Sequence, residues 1–252
     1  MNDAGRPFVV QSDAIRAIPQ LIPRPGQWEP GPEVPWERAA PPWSPTLAQL
    51  LAGAIVERQD IILQPQARLS AVLVLLAEGD RGVEVLLTRR SLALSSHPGE
   101  VSFPGGRVDP DESAHEAALR EAHEEVGLPL TATVVHGELT HLNTFVSRSY
   151  IIPVVASIEA DVLAGIDITP MTMEVDRVLW TTVSELVAPG VHHTERWKLP
   201  DSVPEVPDAT LHFFDTPTDV VWGATARILV DLFERAWRTS GWVRWPQRRG
   251  AS

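Results

Sequence analysis

The chain has 252 residues, 44% hydrophobic and 21% charged, a globular composition that supports one sizeable core with decorations or two small domains. It has no cysteine, which excludes disulfides, thiol nucleophiles and thiolate metal sites, so any metal must be held by oxygen or imidazole. The formal net charge of −12 argues against nucleic acid as a partner, and an anionic ligand would need a local remedy, most simply divalent cations.

Residues 7–45 are rich in proline and carry Trp28, Trp36 and Trp43. Proline blocks helix interiors and central strands, so this stretch reads as an extended arm, and its aromatics favour an arm laid over the body or a partner subunit. A loose tail is the bland alternative. The N-terminus lacks the basic-then-apolar layout of a secretion signal and the longest apolar run, 71–77, is strand-sized, so the expectation is a cytoplasmic protein with no membrane contact.

Next, PTLAQLLAGAIVERQ (45–59) has helical spacing at Leu47, Leu50, Leu51 and Ile55. RLSAVLVLLAE (68–78) and VEVLLTRR (83–90) read as strands about a Gly79–Gly82 turn, and EVSF (100–103) as a third. An acidic helix follows. Further strands are expected at 133–140, 149–158, 176–183 and 210–214, with 189–207 a long loop and an amphipathic helix over 219–237. Its face Val220, Ala224, Ile228, Leu232 and Phe233 is better explained as core than as a binding surface, and the same holds for Trp222-Gly223. Strands around a central helix, with another helix at the end, give an α/β sandwich with a central mixed sheet.

The segment RVDPDESAHEAALREAHEEVGL (107–128) holds seven acidic residues. Ser113 with Glu116 fits a capping box, and Gly127 is a natural stop. At about 100° per residue, Glu125 falls about 40° to one side of Glu121 and Glu124 about 60° to the other. Ala118, Ala122, Leu119 and Val126 form the neighbouring packing stripe, and Ala114 and Ala117 leave the acidic face open. Like charges at this spacing cost roughly 0.2–0.5 kcal/mol per pair. A solvated acidic face is the ordinary reading of such a run. The only cation at hand is Arg120, however, and a Phe-Pro-Gly-Gly turn (103–106) precedes the helix, so clustered carboxylates and approachable carbonyls point to Mg²⁺ or Mn²⁺.

The run Gly106-x5-Glu112-x7-Arg120-Glu121-Ala122-x-Glu124-Glu125-x-Gly127-Leu128 resembles the Nudix box at every fixed position, with a small Ala122 in a slot usually larger. Upstream, LLTRRSLALSSHPGEVSFPGG (86–106) resembles the signature of the coenzyme A pyrophosphatase family within the Nudix hydrolase superfamily. Glu174-Val175 and VWGATARIL (221–229) are similar as well, and the likeness spans about 46–235. Ser95 stands where that signature has an arginine.

The resemblance implies a Nudix-type α/β/α sandwich and metal-dependent hydrolysis of a pyrophosphate bond, with coenzyme A or its thioesters giving 3′,5′-ADP and (acyl-)4′-phosphopantetheine. It implies Glu121 and Glu125 as ligands of Mg²⁺ or Mn²⁺, Glu124 as the third, a carbonyl from Gly106, and Arg120 orienting the glutamates. Glu112 is expected to be structural. Arg90, His97 and Arg107 are the candidates for substrate, and a turn cap is the ordinary reading of His97. Glu159, Asp161 and Glu174 stand unranked as general base. The expected layout is an arm (1–45), a hydrolase domain (46–238) and a tail (239–252). Two other readings stay open: a pyrophosphatase for ADP-ribose or a dinucleotide, and a non-catalytic nucleotide sensor. The arm tryptophans leave room for a homodimer.

Overall fold

The computed structural model describes residues 20, 22–38, 43–54, 67–144, 148–198 and 210–239. The outer arm, the second half of the predicted 45–59 helix and almost all of the tail lie outside them.

Among the described residues twelve strands and five α-helices follow one another. They are β1 (Trp28–Pro30), α1 (Leu47–Ala54), β2 (Arg68–Gly79), β3 (Gly82–Arg90), β4 (Val101–Ser102), β5 (Gly105–Arg107), α2 (Ala114–Val126), β6 (Thr133–Glu138), β7 (Leu142–Thr144), β8 (Ser149–Ile158), α3 (Ala160–Leu163), β9 (Val175–Thr182), α4 (Val183–Leu186), β10 (His192–Trp197), β11 (Thr210–Asp215), β12 (Val220–Trp222) and α5 (Gly223–Thr239). The main sheet has the order β4-β3-β2-β8-β6, with β5 on β2, β7 on β8 and β9 on β3. It is mixed: β2 and β8 run parallel over ten residue pairs, from Arg68↔Ser149 to Ala77↔Ile158, while the other pairs are antiparallel.

The alternation of β2 explains the layering. Ala71, Leu73, Leu75 and Ala77 face one core shared with Ala118, Ala122 and Val126 of α2. Val74 and Leu76 face a second core shared with Leu50 of α1 and Leu229, Leu232 and Phe233 of α5. A strand buried on both faces must read as a near-continuous apolar run, and β2 does. The result is helix, sheet, helix.

One expectation fails. The stretch 189–207 is not a loop throughout, because His192–Trp197 is the strand β10, paired with β11. Together β1, β10, β11 and β12 make a second, antiparallel sheet. The predicted terminal helix is likewise shorter, since Val220–Trp222 is a strand and Gly223, at φ 65°, starts α5. Trp222 stacks on Phe213 at 6.4 Å and 5°, as the core reading expects.

The described part of the arm lies on the body. Trp36 and Trp43 are buried, meeting Phe233 edge-on at 5.7 and 6.3 Å, and Trp43 also meets Trp237 at 5.3 Å. Glu37 accepts a 2.6 Å hydrogen bond from His192 Nδ1. Edge-to-face aromatic pairs of this kind are worth about 0.5–1.5 kcal/mol each beyond their area.

Candidate active site

The site begins at a turn that only glycine permits. β5 pairs with β2, Ala71 opposite Gly106 and Val72 opposite Gly105. Gly105 has φ 155° and a Cβ there would collide with the Ala71 carbonyl; a Cβ on Gly106 would collide with the carboxylate of Glu121. Backbone and carboxylate therefore touch directly.

α2 delivers that carboxylate. Ser113 Oγ accepts from Glu116 N (3.2 Å) while Glu116 Oε2 accepts from Ser113 N (2.7 Å), and Gly127 closes the helix in the left-handed region at φ 73°. Ala118, Ala122 and Val126 are fully buried as the helical layout requires. Ala117, expected to leave the acidic face open, is fully buried too. Helical angles alone do not show that β5 lies against that side.

Arg120 organises the acidic residues. It grips Glu112 with two bonds, Nε to Oε2 at 3.1 Å and Nη2 to Oε1 at 2.7 Å. It also donates to Glu121 Oε1 at 3.0 Å, Glu124 Oε2 at 3.2 Å and the Arg107 carbonyl at 3.1 Å. Its bond to Glu112 raises the Arg120 pKa, and the same bond with the Asp109 amide holds Glu112 below the usual carboxylate range. Glu112 is thus a structural partner, as expected, and one guanidinium serves three carboxylates.

Glu125 receives no such relief. Burial first, then the charge of Glu121, push its carboxyl up to about 7, against weaker opposing effects of the Gly105 amide and Arg90. The Gly105 N–H donates to Glu125 Oε2 at 3.4 Å, a long bond. Burial likewise raises Glu121. Glu124 differs, with a side chain 53% exposed. The structure therefore brings Glu121 and Glu125 together at Gly105–Gly106 and leaves Glu124 at the rim.

The other candidates separate clearly. Arg90 is close enough to Glu125 to act on its charge, and its Nε is buried with no hydrogen-bond partner among the described residues. His97 sits at φ 54° with Nδ1 2.9 Å from Glu100 Oε2, so it closes the 91–99 turn. Arg107 is exposed. Of the three proposed bases, Glu174 alone acts on Glu125, raising its pKa. Glu159 and Asp161 follow the Ile158 end of β8, which pairs with Ala77. Gly106 pairs with Ala71, so six residues of strand, about 20 Å, separate them from the site.

Sequence reasoning missed a relay near the N-terminus of α2. His115 Nε2 lies 3.0 Å from Glu138 Oε1, His141 Nε2 lies 2.7 Å from Glu138 Oε2, and His141 Nδ1 lies 2.9 Å from the Tyr150 hydroxyl. No linear spacing announces it, since β6 and β8 supply two of its members.

Among the described residues no three His, Asp or Glu side chains already converge as a metal cluster. The donor set nevertheless fits a hard divalent cation: two oxygen ligands, raised in pKa by desolvation, set against a glycine backbone. A cation there would relieve the repulsion that Arg120 leaves untreated.

The model of the NUDIX domain family matches residues 67–202. Nudix hydrolase 22, chloroplastic, of Arabidopsis thaliana is 39% identical over 170 residues, covering 64% of this chain and 53% of the plant protein. The uncharacterized Nudix hydrolase NudL of Photorhabdus laumondii is 33% identical over 153 residues, covering 60% of this chain and 76% of its own length. The chain thus spans about half of the plant relative and three quarters of the bacterial one. A MutT/nudix family protein from Enterococcus faecalis aligns in structure at 18% identity and TM-score 0.44, covering 71% of this chain and 66% of that one.

Proposed function

The chain belongs to the Nudix family, and from that membership we propose that it hydrolyses the pyrophosphate bond of a nucleoside diphosphate derivative, coenzyme A or its thioesters in the first place. The observation that carries the reading is the Glu121–Glu125 pair, half-buried against Gly105–Gly106, with Arg120 divided among Glu112, Glu121 and Glu124. A purely structural helix has no use for a carboxyl held at about 7 beside a second one.

Glu121, Glu125 and the Gly106 carbonyl are the groups that would hold Mg²⁺ or Mn²⁺, with Glu124 joining from the rim. A divalent cation at these oxygens supplies neutralisation of the diphosphate and a lowered pKa for the attacking water. Arg120 positions Glu121 and Glu124 through the bonds described above, while its own charge is spent on Glu112. Arg90, whose Nε has no hydrogen-bond partner among the described residues, would offer its charge to a phosphate oxygen, and Arg107 adds charge at the surface. Glu174 is the base we propose among the three, because it alone of them is near enough for its charge to act on Glu125. We assign the catalytic unit to 46–238, flanked by the arm (1–45) and the tail (239–252).

The coenzyme A assignment rests on the resemblance of 86–106, and Ser95 favours keeping ADP-ribose and dinucleotides as the second reading. No helix among the described residues is long and apolar enough to cross a membrane; a cytoplasmic location rests on the sequence. A homodimer would draw on Trp28, which is exposed while Trp36 and Trp43 are spent on the chain's own core. The test is a panel of coenzyme A, acetyl-coenzyme A, ADP-ribose and a diadenosine polyphosphate with Mg²⁺ or Mn²⁺, products identified by mass. The expected result is 3′,5′-ADP from coenzyme A; ADP-ribose cleaved in preference overturns the substrate, and no turnover of any member overturns the reaction.

A further inference from the structure

Exposed apolar side chains are informative where they gather around a site. Met171 is 63% exposed, Met173 92% and Leu92 39%. Backbone bonds place these segments beside the main chain of Glu125 and Glu174. The Met171 N–H donates to the Glu125 carbonyl at 2.8 Å, and the Ser91 N–H donates to the Glu174 carbonyl at 2.7 Å. Met171 also covers the end of α2, its Cγ 3.6 Å from where a Cβ on Gly127 would stand. Leu92, next to Ser91, leans over Gly99.

A structural role explains these residues poorly. Core methionines are buried, and Met173 buries almost nothing. Two of the three methionines in the chain stand within one short segment, beside the glutamate that acts on Glu125. Methionine is unbranched, flexible and polarizable, and suits a surface that must accept a flexible apolar group. Arg90 and Glu174 both act on the Glu125 carboxyl, so a ligand reaching from that carboxyl to the exposed methionines needs a charged centre and an aliphatic arm.

We propose that Met171, Met173 and Leu92 form the apolar rest for the flexible aliphatic arm of the substrate, the part joined to the diphosphate on the side away from the nucleoside. This rests on the hydrolase reading and narrows it. A pantetheine arm, with its branched hydrocarbon next to the diphosphate, satisfies such a rest; the terminal ribose of ADP-ribose does not. Apolar contacts of this size discriminate by about 10-fold or somewhat more.

The test compares coenzyme A and ADP-ribose in the wild type, the double variant Met171→Ser/Met173→Ser and the conservative Met171→Leu/Met173→Leu. With Mg²⁺, the serine variant should raise KM for coenzyme A about 10-fold at unchanged kcat, leave ADP-ribose kinetics alone, and be rescued by leucine. Equal effects on both substrates, or none, overturn the inference while the hydrolase reading stands. Wild-type protein that cleaves neither substrate overturns both. Self-association that is lost in the serine variant, with kinetics unchanged, assigns the patch to a second copy of the chain and also overturns the proposal.

Discussion

Two partly buried polar groupings in this molecule are built on opposite principles. In the first, Glu37, His192, His212 and Arg227 form a chain that joins the arm to the second sheet and α5, at successive distances of 2.6, 3.1 and 3.5 Å. Arginine can only donate, so His212 Nε2 must accept; His212 Nδ1–H then donates to His192 Nε2, and His192 Nδ1–H donates to Glu37. Every member then has a partner. In the second, Glu121 has only a share of Arg120, which also serves Glu112 and Glu124, and Glu125, which makes no ion pair with it, is held near 7. Compensated polar groups hold a fold together, whereas uncompensated ones cost stability and persist only where something else is to bind.

The largest effect should come from the uncompensated pair. Glu125→Gln is expected to lower turnover by at least about 10²–10³-fold with unchanged circular dichroism. It should also stabilise the metal-free protein above neutral pH. A carboxyl whose folded pKa lies at about 7, above its unfolded value, binds more protons folded than unfolded in that interval. The wild type therefore loses stability as pH rises from about 4.5 to 7, by on the order of 2 kcal/mol, and the variant should not. Calorimetric melts across that range decide it.

Arg120→Lys is next. It keeps the charge but not the two-bond grip on Glu112, and should cost about 10–100-fold in metal affinity or activity. The compensated chain should answer differently. Glu37→Leu leaves His192 Nδ1–H without its acceptor, so stability should fall by about 1–3 kcal/mol while kcat and KM stay put. A kinetic defect in that variant would erase the distinction between the two groupings. The smallest effect belongs to His193, raised chiefly by its bond to Asp215 at 3.1 Å. Its contribution is present below the ordinary imidazole pKa and is lost as pH rises through the higher folded value. With the side chain 37% exposed, His193→Phe should flatten that dependence by less than about 0.5 kcal/mol.

Much of the fold could be read from local pattern. The strand 149–158 was predicted to the residue, and the capping box and Gly127 delimit α2 as expected, because caps and apolar runs are local. β10 was not legible. Its inward residues include His192, Thr194 and Glu195, a polar strand that pairs with an arm more than 160 residues away, as in the Gly31 N–H to Thr194 carbonyl bond of 2.9 Å. The acidic face was legible as a helical angle. That Ala117 is buried, that Arg120 reaches back to Glu112, and that the charge of Glu174 rather than of Glu159 or Asp161 acts on Glu125 all depend on how the strands and loops come together, which no spacing along the chain reveals.

The central claim is that the Glu121–Glu125 hollow is a divalent cation site. Calorimetric titration of Mn²⁺ into the purified metal-free protein and into Glu125→Gln at pH 8 tests it directly. Saturable binding to the wild type, absent or at least about 10-fold weaker in the variant, is the predicted result. Equal binding to both proteins, or to neither, would contradict it.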